Sequence, residues 1–515
     1  MRLATVFTDG MVLQARMPVR VFGEGRGSVK VDFLGETAEL FSNDGQWCVE
    51  LSPREYGGPY EMNITLDGQT VVLRDVYVGE VWIAAGQSNM EMPLFATEFG
   101  FESARMGEND KIRFFTVPRR TRRDEVIHGW HFEPVEARDT PWQICTEENA
   151  LHFSAIGFHV AVELQKELGC AIGVISLNWG ARRIEAFIDI EKMRSAPVTA
   201  QAVKEWDAFV SGLDMDTYME EYGQARAAYK KMYDNAPDRV EEVRIKGVRA
   251  TVGGLTVEKD FPNGPYHPNG MGVLYETMYK RVLPYGIRGI LWYQGESNAS
   301  DGYLEKYLLY MDCMRESFKN PELDFYAVEL ASFDMGWGGV SPQTSNHRFV
   351  TEESWAFRRE LQQKATEVAP RNYLVTNMEL GDIKEIHPIT KKALSHRMVL
   401  KMLKHTYGFD VYGDHPTFKS ATFDGNRVII ELNNAEGLFC PKTLNWVDIF
   451  VADESHELKK ADTVIEDNKL ILTCKWVERP VLVRYAFDNY YQGKHIYNKM
   501  GLPLSPFRTD DIKKQ

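Results

Sequence analysis

The chain lacks the features of membrane-spanning, disulfide-stabilised and polyanion-binding proteins. Its longest apolar runs, such as 171–177, fall far short of the roughly 20 residues that cross a bilayer, and no charged-then-apolar leader precedes Arg2. Its six cysteines show no CxxC spacing, so neither a zinc cage nor a disulfide framework is predicted. The 60 basic and 74 acidic residues give a net charge of −14, which disfavours nucleic acid and anionic membranes as partners. For the chain as given, we expect a cytoplasmic protein.

What the chain does have is the length and composition of a multi-domain globular protein, at roughly 150 residues per domain. Short alternating segments between glycine-rich turns over 1–75 predict an N-terminal β-sandwich. Over 76–407, buried strands alternate with helical segments, which is typical of an α/β parallel sheet covered on both faces; a helical insertion, or lid, is predicted near 196–248. Alternation returns over 408–515 and predicts a C-terminal β-domain.

Polar residues suited to catalysis follow four of the predicted buried strands. Ligands meet the carboxyl ends of the strands in such sheets, where a serine can present its hydroxyl beside backbone N–H groups. The first strand, 81–85, leads through Gly86 and Gln87 into Ser88. Ser88 is therefore a candidate nucleophile; the alternative is that it only caps the following helix.

The second and third strand ends supply candidate hydrogen-bond donors. The strand 171–177 runs into Gly180, where the missing Cβ lets backbone N–H groups approach a ligand closely. After the strand 289–293, the amide of Gln294 or Asn298 could donate to a developing oxyanion, or else serve as a satisfied loop amide.

The fourth strand end carries a histidine. His387 follows the strand 373–377 and has carboxylates two and five positions upstream, Glu385 and Asp382, that could hold its tautomer. A serine nucleophile, a histidine base oriented by a carboxylate, and two or three N–H donors are the parts of a serine hydrolase. The four strand ends together predict this class of enzyme, which needs neither a metal nor an organic cofactor.

Several blocks of the sequence also share the signatures of one family. They are the segments 7–14, 57–60, 78–82, 86–90, 292–298, 386–388, 501–503 and 506–508. The sequence resembles the SGNH hydrolases and, within them, the sialate O-acetylesterase-like carbohydrate esterases, over nearly the whole chain. The resemblance implies a three-layer α/β/α parallel-sheet hydrolase domain flanked by N- and C-terminal β-sandwich domains.

The resemblance also implies roles for individual residues. Ser88 becomes the nucleophile and His387 the general base. The N–H groups of Ser88 and Gly180, with the amide of Gln294 or Asn298, become the oxyanion donors.

The third member of the triad is open at this point. Many SGNH enzymes place an aspartate three residues before the histidine, where this chain has Lys384. Glu385 matches the acidic residue that many acetylesterases of this subgroup carry two positions before the histidine, and it is our prediction. The alternatives are Asp382, Glu296, or a Ser–His dyad that uses a backbone carbonyl.

The candidate substrate-binding residues are Asn89, Arg182 and Glu296. Relatives usually read Gly-Gly-Thr where this chain reads Gly180, Ala181 and Arg182. An arginine at this position could clamp the carboxylate of a sialic or uronic acid; the alternative is that Arg182 or Arg183 is solvated.

The implied function is a serine esterase that removes O-acetyl groups from mono- or oligosaccharides, with O-acetyl sialic acid as the first expected substrate. One alternative is an acetylesterase for xylan, xyloglucan or mannan oligosaccharides. Another is a carbohydrate-binding protein whose catalytic part has decayed. Three roles are open for the two β-domains: sugar binding, a structural scaffold, or self-association into a homo-oligomer.

Overall fold

The computed structural model describes residues 1–122, 141–234, 239–246, 261–299, 301–333, 355–441, 447–491 and 493–510. The chain divides into two compact units. The first unit comprises Met1–Asn298, Glu305–Tyr326 and Ile389–His396, and the second comprises Ala299–Leu304, Ala327–Pro388 and Arg397–Gln515. The division into three domains at 75/76 and 407/408 stays a prediction.

The first unit begins with eight strands. They are β1 (Arg2–Leu3), β2 (Val12–Gln14), β3 (Val19–Glu24), β4 (Gly27–Phe33), β5 (Glu36–Ser42), β6 (Gln46–Leu51), β7 (Gly57–Leu66) and β8 (Gln69–Gly86). β1, β3 and β6 form an antiparallel sheet, and β4 pairs with β5 and β7. Side chains alternate between buried and partly or fully exposed along β4, which is the period-2 pattern on which the strand predictions rested.

β8 joins this antiparallel part to a parallel sheet. Its first part forms an antiparallel pair with β7, and its last seven residues run parallel to a strand of the next sheet. The strand continues without a break through the predicted domain boundary at 75/76. Asp75 has a φ of 56°, so the backbone departs from the extended conformation at this point of the strand. From Val76 to Gly86 every residue is buried.

The parallel sheet contains the predicted strands 171–177 and 289–293 together with strands that the sequence analysis did not identify. Its further members in the first unit are β9 (Asn109–Thr116), β10 (Gln143–Cys145), β11 (Ile172–Asn178), β12 (Gly289–Tyr293) and the first residues of β13 (Asp324–Val328). The order is β10-β9-β11-β8-β12-β13, with β10 antiparallel to β9. All residues of β11 and β12 are buried, because both faces of the sheet are covered.

The register of this sheet aligns three strand ends. Asn178, the last residue of β11, pairs with Gly86, the last residue of β8. On the other side of β8, Tyr293 at the end of β12 pairs with the same Gly86. The loops that follow these three strands therefore start side by side at one edge of the sheet.

Helices occupy the segments between the strands. They are α1 (Ser88–Glu91), α2 (Gly100–Met106), α3 (Glu147–His152), α4 (Ala155–Leu168), α5 (Ile190–Ser195), α6 (Pro197–Ser211), α7 (Met215–Asp234), α8 (Arg239–Lys246), α9 (Val273–Thr277), α10 (Tyr303–Ser317), α11 (Trp355–Val368) and α12 (Lys391–His405). Short 3₁₀ turns cover Leu94–Ala96, Ile184–Phe187, Tyr279–Arg281 and Met378–Leu380. α6, α7 and α8 lie within 196–248, of which 235–238 and 247–248 are outside the described residues; that this segment is an insertion stays a prediction.

The second unit contains the end of β13, the strand β14 (Asn372–Val375) and two small sheets near the end of the chain. The strands of these sheets are β15 (Thr417–Asp424), β16 (Arg427–Asn433), β17 (Ile449–Ala452), β18 (Lys459–Lys460), β19 (Asp462–Glu466), β20 (Lys469–Thr473), β21 (Leu482–Tyr485) and β22 (Phe507–Arg508). Their orders are β15-β16-β20-β19 and β18-β17-β21-β22. One hydrophobic cluster contains Ile430 and Leu472 of the first sheet with Val451 and Val483 of the second, so the two sheets share a core.

Among the described residues, no helix combines the length and the apolar character that crossing a bilayer requires.

Ser154 links α4 to the segment after β8, and its removal should destabilise the fold. Its Oγ accepts the N–H of Gly157 at 3.2 Å and donates to the carbonyl of Met90 at 2.7 Å, in a buried position. We expect Ser154→Ala to lower the free energy of unfolding by about 2 kcal/mol, measured by urea denaturation.

Thr146→Ala is the matched control, because Thr146 caps α3 in the same way, accepting from Asn149 at 3.2 Å, but is exposed. Water can replace this bond, so the loss should be about 1 kcal/mol or less. An equal loss in the two variants would contradict the importance of the buried second bond.

Candidate active site

Ser88 lies at the edge of the sheet where the three strand ends meet. It begins α1, two residues after β8 ends at Gly86. Every other residue of 76–97, a stretch described throughout, is buried, whereas Ser88 is partly exposed. Gly86 has a φ of 137°, and a Cβ there would stand 2.1 Å from the carbonyl oxygen of Tyr293. Only glycine therefore lets β8 end this close to β12 and leave its serine accessible.

Gln87, which the sequence analysis left without a role, connects the serine to the third strand end. Its Oε1 accepts the N–H groups of Gly295 at 3.0 Å and Glu296 at 3.2 Å. Its Nε2 donates to Oγ of Ser297 at 2.6 Å. Because Gln87 is fully buried, water does not compete for these bonds. The signal available in the sequence was its place directly before Ser88.

Asn89, on the other side of the serine, is equally constrained. Its Nδ2 donates to Oε1 of Glu296 at 2.9 Å, and its Oδ1 accepts from Nζ of Lys391 at 2.5 Å. Asn89 and Lys391 are both buried. The structure thus brings together Asn89 and Glu296, two predicted substrate-binding residues, and adds a buried lysine that the sequence analysis did not single out. Their contact with substrate stays a prediction.

At the second strand end, Gly180 donates its N–H to a carboxylate. The acceptor is Oε2 of Glu91, at 2.6 Å, and the side chain of Glu91 is 4% exposed. Oε1 of the same carboxylate lies 3.2 Å from Nη2 of Arg119. The sequence analysis missed both charged residues; the position of Glu91, three residues after Ser88, was the available signal.

Arg182 follows this turn and is fully buried. Its Nε donates to the carbonyl of Gly180 at 2.8 Å, and its guanidinium carbon lies 5.3 Å from the ring centroid of Trp179. The solvated alternative is therefore wrong for Arg182, whereas Arg183 is exposed.

A loop that includes His267 supports the same turn. Asn269 accepts the N–H of Arg183 at 2.9 Å and donates its own N–H to Nδ1 of His267 at 3.0 Å. Burial, together with Arg182 and Arg183, lowers the pKa of His267 to about 4. His267 is thus neutral near pH 7, and Nδ1 is an acceptor in this loop.

At the third strand end, the two predicted donor amides hold each other. Nε2 of Gln294 donates to Oδ1 of Asn298 at 2.5 Å and to the carbonyl of Arg182 at 3.2 Å. The same Oδ1 accepts the N–H of Ile184 at 3.0 Å, and Nδ2 of Asn298 donates to Glu185 at 2.9 Å. The amides therefore connect the loops after β11 and β12, and their role as oxyanion donors stays a prediction.

Glu185 completes this link as a charged group. Burial by itself raises the pKa of Glu185, but the Lys306 ammonium, 2.9 Å away, and the Asn298 amide outweigh it and hold the pKa below its usual value. The carboxylate is therefore ionised at neutral pH and fixes the orientation of the Asn298 amide.

The second unit contains His387, with a carboxylate on its Nδ1 side. Oε1 of Glu385 lies 3.3 Å from Nδ1 and accepts the backbone N–H of His387 at 2.9 Å. The side chain of His387 is 12% exposed. Oδ1 of Asp382 accepts the N–H of Lys384 at 2.9 Å. This geometry agrees with the choice of Glu385 as the orienting carboxylate, and its catalytic role stays a prediction.

The turn that leads to His387 is held from inside the second unit. Oε2 of the buried Glu329 accepts the N–H groups of Asn377 at 3.0 Å and Met378 at 3.2 Å, and burial raises the pKa of this carboxyl group. A Cβ at Gly381 would stand 2.3 Å from the carbonyl oxygen of Ser332. A close backbone approach and a buried carboxylate thus fix the start of the histidine loop.

Chemically, the first unit offers an accessible serine hydroxyl framed by buried amides, and the second offers an imidazole with a carboxylate on Nδ1. These are the groups of nucleophilic acyl transfer. Among the residues that the structure describes, no three or more His, Cys, Asp or Glu side chains are grouped to hold a metal ion.

Comparison with known proteins yields consistent matches. A family model described as carbohydrate esterase, sialic acid-specific acetylesterase, matches residues 198–396. The sialate O-acetylesterases of Pongo abelii and Homo sapiens are each 23% identical over 461 residues, covering 82% of this chain and 73% of theirs. The crystal structure of a carbohydrate acetylesterase from Xanthomonas citri matches with a TM-score of 0.74 and 27% identity, covering 99% of both chains.

The mixed α/β fold and these matches make the chain similar to proteins of the carbohydrate esterase class. Within that class, its similarity is to the sialate O-acetylesterases, which confirms the resemblance that the sequence motifs carried. The matched segment 198–396 contains Gln294, Asn298, Glu385 and His387, whereas Ser88 and Gly180 lie before it.

Proposed function

We propose that this chain is a serine esterase that removes O-acetyl groups from carbohydrates. The observation that carries the proposal is the register that sets the ends of β8, β11 and β12 side by side, with Ser88 as the accessible residue of an otherwise buried stretch. The full-length similarity to a carbohydrate acetylesterase and the relatives named sialate O-acetylesterase support this chemistry.

The reaction proceeds through an acetyl-serine intermediate. Ser88 Oγ attacks the ester carbonyl while Nε2 of His387 takes its proton, and the sugar hydroxyl leaves with that proton. Water then attacks the acetyl group, with the same imidazole as base, and acetate is released. Glu385 stabilises the imidazolium from the Nδ1 side, where its Oε1 lies 3.3 Å away.

The pairing of Ser88 with His387 is part of this proposal, and connectivity supports it. Lys391, four residues after His387 in the chain, donates to Asn89, the neighbour of Ser88. Ile389, two residues after His387, accepts the N–H of Glu98 at 3.0 Å. Two residues span at most about 7 Å, so the chain connects His387 to Ile389 within that distance.

The proposed architecture has a three-layer α/β/α domain of the SGNH type over 76–407 and flanking β-sandwich domains over 1–75 and 408–515. It is supported by the covered parallel sheet and by the core that the two C-terminal sheets share. The proposed substrate is an acetylated mono- or oligosaccharide, and no metal or organic cofactor takes part.

Replacing the nucleophile should abolish the reaction. We expect Ser88→Ala to lower kcat for release of p-nitrophenol from p-nitrophenyl acetate at least about 1000-fold, because no other group can form the acyl intermediate. Ser211→Ala, at an exposed position of α6, is the control and should keep full activity. Turnover by Ser88→Ala at the wild-type rate would remove this serine from the mechanism. A wild-type protein that neither turns over esters nor reacts with a fluorophosphonate would instead favour the decayed carbohydrate-binding protein.

The orienting carboxylate can be identified by amide substitution. Glu385→Gln should lower kcat about 100-fold or more, since the amide cannot stabilise the imidazolium. Asp382→Asn should stay within about threefold of wild type, because Oδ1 of the asparagine still accepts from Lys384. The measurement is kcat of both variants as a function of pH. A larger loss of kcat in Asp382→Asn than in Glu385→Gln would assign the role to Asp382.

The sugar can be identified by acetate release from O-acetyl sialic acid and from acetylated xylo- and manno-oligosaccharides, followed by NMR of the acetyl signals. We expect O-acetyl sialic acid to give the highest kcat/KM, in line with the relatives named sialate O-acetylesterase. A preference of tenfold or more for the neutral oligosaccharides would assign the hemicellulose alternative.

A further inference from the structure

Glu91 is a buried carboxylate three residues after Ser88, at the end of the one-turn helix α1. Its side chain is 4% exposed, and that of its partner Arg119 is 5% exposed. Removing two charges from water is costly, and an apolar pair of the same volume is often at least as stable. Stability alone therefore gives no reason for a charged pair at this position.

The contacts of Glu91 join the serine turn to the end of β11. Its Oε2 accepts the N–H of Gly180 at 2.6 Å, and its Oε1 lies 3.2 Å from Nη2 of Arg119. Arg119 in turn donates to the carbonyl of Asn178 at 3.0 Å and to its Oδ1 at 3.2 Å. Through its charged hydrogen bond with Gly180 and its ion pair with Arg119, one carboxylate thus fixes the distance between the helix that starts at Ser88 and the turn that follows the neighbouring strand.

The turn that Glu91 holds is conformationally strained. Ala181 has a φ of 57°, a left-handed conformation that a residue with a Cβ rarely adopts. Such a conformation persists where the surroundings impose it. Glu91 holds the residue before Ala181, and Nδ2 of Asn269 donates to the carbonyl of Ala181 at 3.4 Å. Of these two contacts, the one with Glu91 is short and charged.

The same contact bears on the oxyanion donors. A backbone N–H points in one direction, and that of Gly180 is directed at Oε2 of Glu91. While this bond is made, the Gly180 N–H cannot also make a strong bond to an oxyanion. In the geometry that the structure shows, Gly180 therefore serves as the point at which the turn is held.

We infer that Glu91 is a positioning residue for the reaction of Ser88: through Gly180 and Arg119 it holds the turn 179–182 at the distance from the serine that acyl transfer requires. The inference rests on the proposed esterase function. It assigns to Glu91 no contact with the reacting atoms, and its effect therefore appears in kcat rather than in KM.

Two substitutions at Glu91 separate the geometric role from the charge. Glu91→Gln keeps an oxygen that can accept from Gly180, whereas Glu91→Leu keeps only the volume. With p-nitrophenyl acetate, we expect kcat to fall about 10-fold in Glu91→Gln and about 100-fold or more in Glu91→Leu, with KM within about threefold of wild type. The rate of fluorophosphonate labelling should fall in parallel, because labelling passes through the same attack by Ser88.

Glu80 supplies the matched control. Its side chain is fully buried, and its Oε2 lies 2.9 Å from Nε of Arg288. Glu80 is the first residue of β8 that pairs with β11, six residues before Gly86. Glu80→Gln and Glu80→Leu remove the same kind of buried charge from β8, the strand that leads to the serine, at a position away from it. These variants should lose thermal stability to a similar extent and keep kcat within about threefold of wild type.

The inference is overturned if Glu91→Leu keeps kcat within threefold of wild type, or if the Glu80 and Glu91 series lose kcat equally. If Glu91→Leu does not fold, Arg119→Met decides: it leaves Glu91 in place but removes the link to Asn178, and an unchanged kcat would overturn the inference. Failure of the esterase proposal itself would appear differently, as a Ser88→Ala variant that retains wild-type turnover.

Discussion

The backbone hydrogen bonds on the two sides of β8 are the constraint on which the site depends. They set Gly86 opposite Asn178 on one side and Tyr293 on the other, so three loops start from one line. The missing side chain at Gly86 is essential to this arrangement, because a Cβ would collide with the carbonyl of Tyr293. The positions of Ser88 and of the polar residues after β11 and β12 follow from this alignment.

Buried polar groups fix the positions of the loops that follow these three strand ends. Gln87 binds the loop after β12, Glu91 binds the turn after β11, and Asn298 connects the two loops to each other through Ile184 and Glu185. Each bond is made in a buried or largely buried setting, where an unsatisfied partner would be costly. The loops beside Ser88 are therefore constrained by a network rather than by single contacts.

Much of this could be predicted from the sequence, because strands buried on both faces appear as apolar runs and because the candidate polar residues stand directly after them. β11, β12 and the end of β8 were identified in this way, as was the pair of Glu385 with His387, which is local in the chain. The roles of Gln87 and Glu91 could not be predicted, since their partners lie about 90 to 210 residues away. Which of the neighbouring Arg182 and Arg183 is buried was also left open, because burial depends on how the whole turn packs in the folded chain.

The amino-acid sequence by itself determined several elements and the candidate groups: the buried strands β11 and β12, the glycine that ends β8, and the serine, histidine and carboxylate that stand after strand ends. It could do so because side-chain periodicity and backbone freedom are local properties. Only the tertiary structure decided which donors are engaged, with the Gly180 N–H on Glu91 and the Gln294 amide on Asn298. The physical reason is that a hydrogen bond depends on the distance and direction between two groups, and for residues far apart in the chain these exist only once the sheet has formed.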